Sequence, residues 1–86
     1  MRYFFVSYKE RSGEYEFVTN NVVASKSKHI DLTVVKMIRN NYGIENTEID
    51  NGKIIVNDWD ICISYIDIRH ITKEEYDVLS KYIHHL

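Results

Sequence analysis

Glu45, Glu48, Asp50, Asp58 and Asp60 gather in one short stretch of this 86-residue chain, and Trp59 stands between the last two. Two carboxylates brought face to face can share acid and base roles. Acids beside a tryptophan in a loop are ordinarily solvated, so Asp58 and Asp60 are weak ground for catalysis. Spread over a surface, the same acids imitate the phosphate spacing of a DNA backbone. They then suit a basic groove on another protein, with charge speeding and orienting the encounter. Trp59 would anchor such a contact, because tryptophan is favoured at interface hot spots. The plainer alternative is a charged loop with Trp59 folded into the core. Charge is polarised along the chain. Residues 26–43 carry Lys26, Lys28, Lys36 and Arg39 against Asp31, whereas residues 44–68 carry six acids against Lys53. The four cations are candidates for holding nucleic acid. No stacking motif accompanies them, so a solvated helix face is the simpler reading and direct nucleic-acid binding the less favoured one.

Other chemistry finds little support. The histidines are His29, His70, His84 and His85. Successive helical residues point about 100° apart, so His84 and His85 are poorly placed to share an ion. Neither a cysteine pair nor a His-Glu-X-X-His pattern occurs, and no metal or cofactor is expected. Cys62 is the single cysteine; among Ile61, Ile63 and Ile66 it reads as a buried, inert thiol. Cys62 and His70 have even separation on one strand and would share a face, but roughly 26 Å apart along it. That is far beyond the reach of a nucleophile and its base. Three glycines spread over the chain cannot build a phosphate cradle, and no Gly-X-Ser-X-Gly elbow or dinucleotide fingerprint exists. The chain is expected not to be an enzyme.

The elements that position these residues belong to one domain, 1–86. Its hydrophobic (44%) and charged (28%) fractions are those of a globular fold, and the absence of proline excludes collagen-like and linker classes. No apolar run approaches the ~18 residues of a membrane span. The apolar start Tyr3-Phe4-Phe5-Val6 is cut short by Ser7, Tyr8 and Lys9, so no secretory leader is read. A lone cysteine permits no internal disulfide, and a reducing cytosol is the expected compartment. Stability must come from isoleucines and aromatics or from self-association. Seven tyrosines, three phenylalanines and one tryptophan exceed what so small a core hides, so some tyrosine surface should be open to protein partners. An uncovered strand edge would add a further docking mode, homodimer formation included.

Phe4, Val6 and Tyr8 alternate with Tyr3, Phe5 and Ser7 as in a strand. Arg11-Ser12-Gly13-Glu14 is a turn into a second strand, Tyr15 to Ala24, in which Asn20-Asn21 hint at a bulge or a local bend. Leu32, Val35, Ile38 and Tyr42 recur at helical spacing, with Asp31 to cap the start and Gly43 to end it, over about 31–42. Asn51-Gly52 fits a type I′ hairpin turn between short strands at Ile49 and Ile54-Ile55-Val56. Ile61 to Ile71 reads as one long strand whose apolar phase changes near Tyr65, implying a bulge or a strand apolar on both sides. Thr72-Lys73-Glu74-Glu75 fits a capping box, with Tyr76, Leu79, Ile83 and Leu86 as the buried stripe of a last helix. The expected fold is α+β in the order β-β-α-β-β-β-α: a mainly antiparallel sheet of four to five strands with two helices packed on one face.

The aromatic strand Tyr3-Phe4-Phe5-Val6-Ser7-Tyr8, the helix end Asn41-Tyr42-Gly43 and the lead-in Ile71-Thr72-Lys73-Glu74-Glu75-Tyr76 cover about a third of the chain. In these segments the chain resembles small phage- and mobile-element-encoded proteins of low-GC bacteria, among them anti-CRISPR and other anti-defence inhibitors. An isoleucine-, asparagine- and lysine-rich composition, as in AT-rich genomes, accords with that source. Residues 45–60 have no counterpart in the pattern, and no catalytic residues carry over. The resemblance implies an inhibitor that binds a bacterial defence protein or nucleoprotein complex stoichiometrically. Combined with the acidic stretch, it implies occlusion of a nucleic-acid-binding surface through Glu45, Glu48, Asp50, Asp58, Trp59 and Asp60.

Overall fold

The aromatic opening of the chain forms a central strand. In the computed structural model, which describes residues 1–86, β1 (Arg2–Ser12) pairs along its whole length with β2 (Tyr15–Ser25). Gly13 has φ 61 and Glu14 no positive φ, the pattern of a type II′ turn whose twist suits a hairpin. The register runs unbroken from Arg2 opposite Ser25 to Ser12 opposite Tyr15, so Asn20 and Asn21 form no bulge. Both asparagines keep their ladder positions, and Asn21 is buried.

α1 (Ile30–Tyr42) buries Val34 and Ile38 and leaves Leu32 71% exposed, so its inner stripe is rotated from the expected one. Asp31 lies within the first turn, where a negative charge suits the helix end. His29 is the N-cap and makes no side-chain bond. Ser27 organises the entry instead, its Oγ accepting from the His29 N–H and the Thr33 hydroxyl. Gly43 ends the helix with φ 80 and ψ 114, positive in φ but not in the left-handed α conformation expected of a glycine cap.

A 3-10 turn (Ile44–Asn46) leads into β3 (Thr47–Asp50) and β4 (Lys53–Val56), the expected hairpin. Asn51 (φ 54) and Gly52 (φ 76) both take the positive φ that a type I′ turn requires. β5 (Ile61–Ile71) runs antiparallel between β4 and β1. Its register slips between Asp67, opposite Ser7, and Ser64, opposite Lys9. Tyr65 and Ile66 thus both oppose Tyr8, and Tyr65 has φ 52: of the two readings of the change of phase, the structure shows the bulge.

α2 (Lys73–Leu79) starts with both halves of the Thr72/Glu75 capping box. It ends sooner than its apolar spacing suggests. The N–H groups of Lys81, Tyr82 and Ile83 bond back to Val78 and Leu79, and the turned chain lays β6 (His84–His85) parallel to Asn21 and Val22 of β2. The sheet order is β3-β4-β5-β1-β2-β6. The fold is α+β in the expected element order, with six strands rather than four or five because the C-terminal residues satisfy backbone groups on β2.

α1 covers one face, where Val34 and Ile38 pack with Phe4, Val6, Tyr8, Val23, Ile54, Val56 and Ile63. Tyr3 alternates with Phe4 and so points to the other face. There it meets Tyr76 of α2, ring centroids 4.8 Å apart. The two helices therefore sit on opposite faces and not, as expected, on one. β1 carries aromatic side chains on both sides, and each side needs cover.

Candidate functional site

The acidic stretch is assembled by strand register and one backbone bond. Glu48 lies opposite Ile55, and Ile55 opposite Cys62, all on the face away from α1. The Asn57 N–H donates to the Asn46 carbonyl at 2.9 Å, tying the turn after β4 to the turn before β3. Asp58 is thereby brought to Glu45 and Glu48. These three acids, with Asn46, Thr47 and the buried Ile55, line a depression of about 110 Å³.

The next turn is conformationally unusual. Asn57, Asp58 and Trp59 take φ values of 49, 52 and 78 in succession. Asparagine and aspartate tolerate this region; tryptophan rarely does, at a cost on the order of 1–3 kcal/mol. The geometry holds Trp59 out of the core, 57% exposed, so it is not folded inward as the plainer reading has it. It lines a second depression with Arg11, Gly13, Lys53 and Cys62. Because Ile55 and Cys62 are paired neighbours, the two depressions lie side by side. Asp50 stands at the hairpin turn opposite Lys53, and Asp60 closes the 57–60 turn through its N–H to the Asn57 carbonyl.

The structure thus brings Glu45, Glu48 and Asp58 into one cluster, places Trp59 beside it, and leaves Asp50 and Asp60 at the flanks. The ion pairs of the molecule are Lys9–Glu16, Arg69–Asp67 and Lys73–Asp77, so none of the five candidate acids is neutralised internally. Arg11 and Lys53 belong to the same surface although sequence reasoning left them out. Lys53 was legible as the one cation of its segment; Arg11 reaches the site only through its pairing with Cys62.

The basic candidates are dispersed. Lys26 and Lys28 are exposed in the loop before α1, and Lys36 is exposed on it. Arg39 is committed to structure: its Nε donates to Thr47 Oγ1 at 2.7 Å and its Nη2 to the Thr47 carbonyl at 3.3 Å. The charge asymmetry of the sequence is only partly kept in space: Glu48 lies on the face away from α1, and Arg11 and Lys53 stand on that same face.

Cys62 and His70 do not share a face. The bulge at Tyr65–Ile66 reverses the alternation, so Cys62 pairs with Arg11 and His70 with Phe4, whose side chains point to opposite sides. Cys62 is half-buried, more open than its isoleucine neighbours suggest. His85 Nδ1 lies 3.1 Å from the Tyr76 hydroxyl, and His70 packs edge-on against Phe4. No group of three or more His, Cys, Asp and Glu side chains is arranged to hold a metal ion. No helix is long and apolar enough to cross a membrane.

No protein-family model matches this chain, and no curated protein or solved structure shows significant similarity to it.

Proposed function

We propose that this protein is a non-enzymatic inhibitor that binds a nucleic-acid-binding surface of a bacterial defence protein or nucleoprotein complex and occludes it, as anti-CRISPR and other anti-defence proteins of phages and mobile elements do. The observation that carries this proposal is the gathering of Glu45, Glu48 and Asp58 around one depression without a cation partner. Unpaired carboxylates on and beside the β3–β4 hairpin can meet lysines and arginines of a groove that otherwise holds phosphates. At about 110 Å³ the depression falls below the roughly 300 Å³ at which small-molecule pockets begin, which favours a macromolecular partner. Trp59 adds an exposed apolar anchor beside the acids. Its strained backbone is consistent with selection for presentation over stability.

The test is the triple reversal Glu45→Lys, Glu48→Lys, Asp58→Lys. Tagged wild-type protein should capture its target from the bacterial host, identified by mass spectrometry, and inhibit it. The triple variant should lose both properties with an unchanged circular dichroism spectrum. Inhibition that survives the reversal would refute the acidic surface. Titration against duplex and single-stranded DNA at two salt concentrations addresses the rival reading through Lys26, Lys28 and Lys36. Salt-sensitive binding that those lysines control would replace the proposal.

A further inference from the structure

The depression beside the acidic cluster has the opposite character, and strand register builds it. Arg11 on β1 lies opposite Cys62 on β5, and Cys62 opposite Ile55 on β4. Residues two apart on a strand share a face, so Lys53 stands on the same side as Ile55, one row along. From the spacing of strands and residues, the Arg11 and Lys53 backbones are roughly 12 Å apart, within reach of two long side chains extended toward each other. The 57–60 turn sets Trp59 on a third side, and Cys62 and Gly13 complete the lining. A Cβ on Gly13 would meet nothing within 4 Å, so that side of the depression is open.

Neither Arg11 nor Lys53 belongs to an ion pair. Of the acids opposite them in the ladder, Glu16 holds Lys9 at 2.8 Å, and Asp50 makes no ion pair with Lys53. No carboxylate lines the depression. Two free cations and an exposed indole therefore share one concavity. Its volume, about 270 Å³, approaches the roughly 300 Å³ at which small-molecule pockets begin. Trp59 is held there at φ 78, and backbone strain of this kind clusters at ligand clamps.

We propose that this depression binds a nucleoside phosphate, with the phosphate held between Arg11 and Lys53 and the base stacked on Trp59. A guanidinium fork meets phosphate oxygens two at a time, and an ammonium adds a point charge. Together the two cations balance a phosphomonoester, whose charge is about −1.5 to −2 at neutral pH. A single carboxylate would leave one cation unmatched. The indole offers a π-face to any base, so stacking supplies affinity without choosing among bases. A free nucleotide and the 5′-phosphorylated end of a nucleic-acid strand share this chemistry. The site lies beside the Glu45/Glu48/Asp58 depression, uses none of those acids, and does not rest on the inhibitory role proposed for them.

Trp59 is the only tryptophan of the chain, so its fluorescence reports on the site directly. Titration of the full chain with AMP or CMP should quench it saturably, after correction for absorbance by the base. Adenosine, which lacks the phosphate, and ribose 5-phosphate, which lacks the base, should each bind at least about fivefold more weakly than AMP. Arg11→Gln and Lys53→Gln should each weaken AMP binding at least about fivefold with circular dichroism unchanged. Trp59→Leu, followed by the phosphorus NMR signal of AMP, should weaken it at least about fivefold. The Glu45/Glu48/Asp58 reversal should bind AMP at least as tightly as wild type, so this site and the acidic surface are read separately. Tighter binding of AMP than of a 5′-phosphorylated oligonucleotide supports the site with free nucleotides as its source, and the reverse order supports it with strand ends. Absence of saturable binding by AMP, CMP and the oligonucleotide at millimolar concentration would overturn the proposal. So would adenosine equal to AMP, an oligonucleotide whose affinity ignores its 5′-phosphate, or AMP affinity indifferent to both Arg11→Gln and Lys53→Gln.

Discussion

The Tyr42 hydroxyl donates a hydrogen bond to the Glu10 carboxylate, joining the last turn of α1 to β1 across 32 residues of sequence. Burial raises the Tyr42 phenol well above its ordinary value, and the bond to Glu10 raises it further. Burial also raises Tyr8 on the same side of the sheet. A phenol whose folded pKa exceeds its unfolded value of 10.0 stabilises the fold fully below that pH. That contribution is lost as pH rises through the folded value. Urea unfolding at pH about 8 and about 11 should show a fall in stability that is smaller in Tyr42→Phe. At neutral pH the substitution should cost about 1 kcal/mol for the lost bond.

The Thr72 hydroxyl accepts the Glu75 N–H at 3.1 Å, and the Glu75 carboxylate accepts the Thr72 N–H at 3.0 Å. Thr72→Ala should destabilise the protein by about 1 kcal/mol and fray α2. The bond from the Thr72 backbone, then that from its side chain, hold the Glu75 carboxyl below its ordinary 4.5. The associated stability is present above that value and is lost as pH falls through the folded one. Carboxyl NMR titration should show Glu75 moving upward in the Thr72→Ala variant.

Two aliphatic residues of α1 separate burial from helix propensity. Ile38 is fully buried in the main core and Leu32 is largely exposed, despite their shared place in the apolar spacing. Ile38→Ala should lower unfolding stability by about 2–5 kcal/mol. Leu32→Ala should stay within about 0.5 kcal/mol. Equal effects in chemical denaturation would contradict the orientation of α1.

Trp59 has φ 78, a region open to glycine at little cost. Trp59→Gly should leave stability unchanged or raise it by up to about 1 kcal/mol. If Trp59 is the anchor of the proposed contact, the same variant should weaken target binding at least about tenfold. Thermal melts and calorimetric titration against the captured target would resolve the two effects. A variant that loses stability and keeps affinity would assign Trp59 to packing.

Tyr65 carries the β5 bulge at φ 52, with the Lys9 ammonium 5.1 Å from its ring centroid. Glycine there relieves the left-handed backbone but forfeits that cation–π contact, which at an exposed site is worth about 0.5–1 kcal/mol. Tyr65→Gly should therefore be neutral to stabilising. Tyr65→Val places a β-branched residue in the same conformation and should cost about 1 kcal/mol or more. The contrast between the two in urea denaturation is the measurement.

Several features were legible in the residues because their causes are local. Asn51-Gly52 specifies its turn through positive φ at two adjacent positions, Thr72 and Glu75 cap α2 within one turn, and Gly43 ends α1. The phase change in Ile61–Ile71 narrowed that strand to two readings, a bulge or apolar cover on both sides, and the bulge is what forms. Each of these interactions spans only a few residues, so types and spacing suffice.

What tertiary structure decided was long-range. The side of the sheet taken by α2 depended on Tyr3 meeting Tyr76, 73 positions apart in the sequence. The sixth strand formed because C-terminal residues found the open edge of β2. The separation of Cys62 from His70 follows from where the bulge falls in the β1–β5 register, and the meeting of Glu45 with Asp58 from one bond between Asn57 and Asn46. Residue types alone determined a charged, aromatic-rich α+β domain with acids concentrated in one segment. Which of those acids share a surface was set by competition among faces and edges for burial and backbone partners, and that competition acts only once the chain has closed on itself.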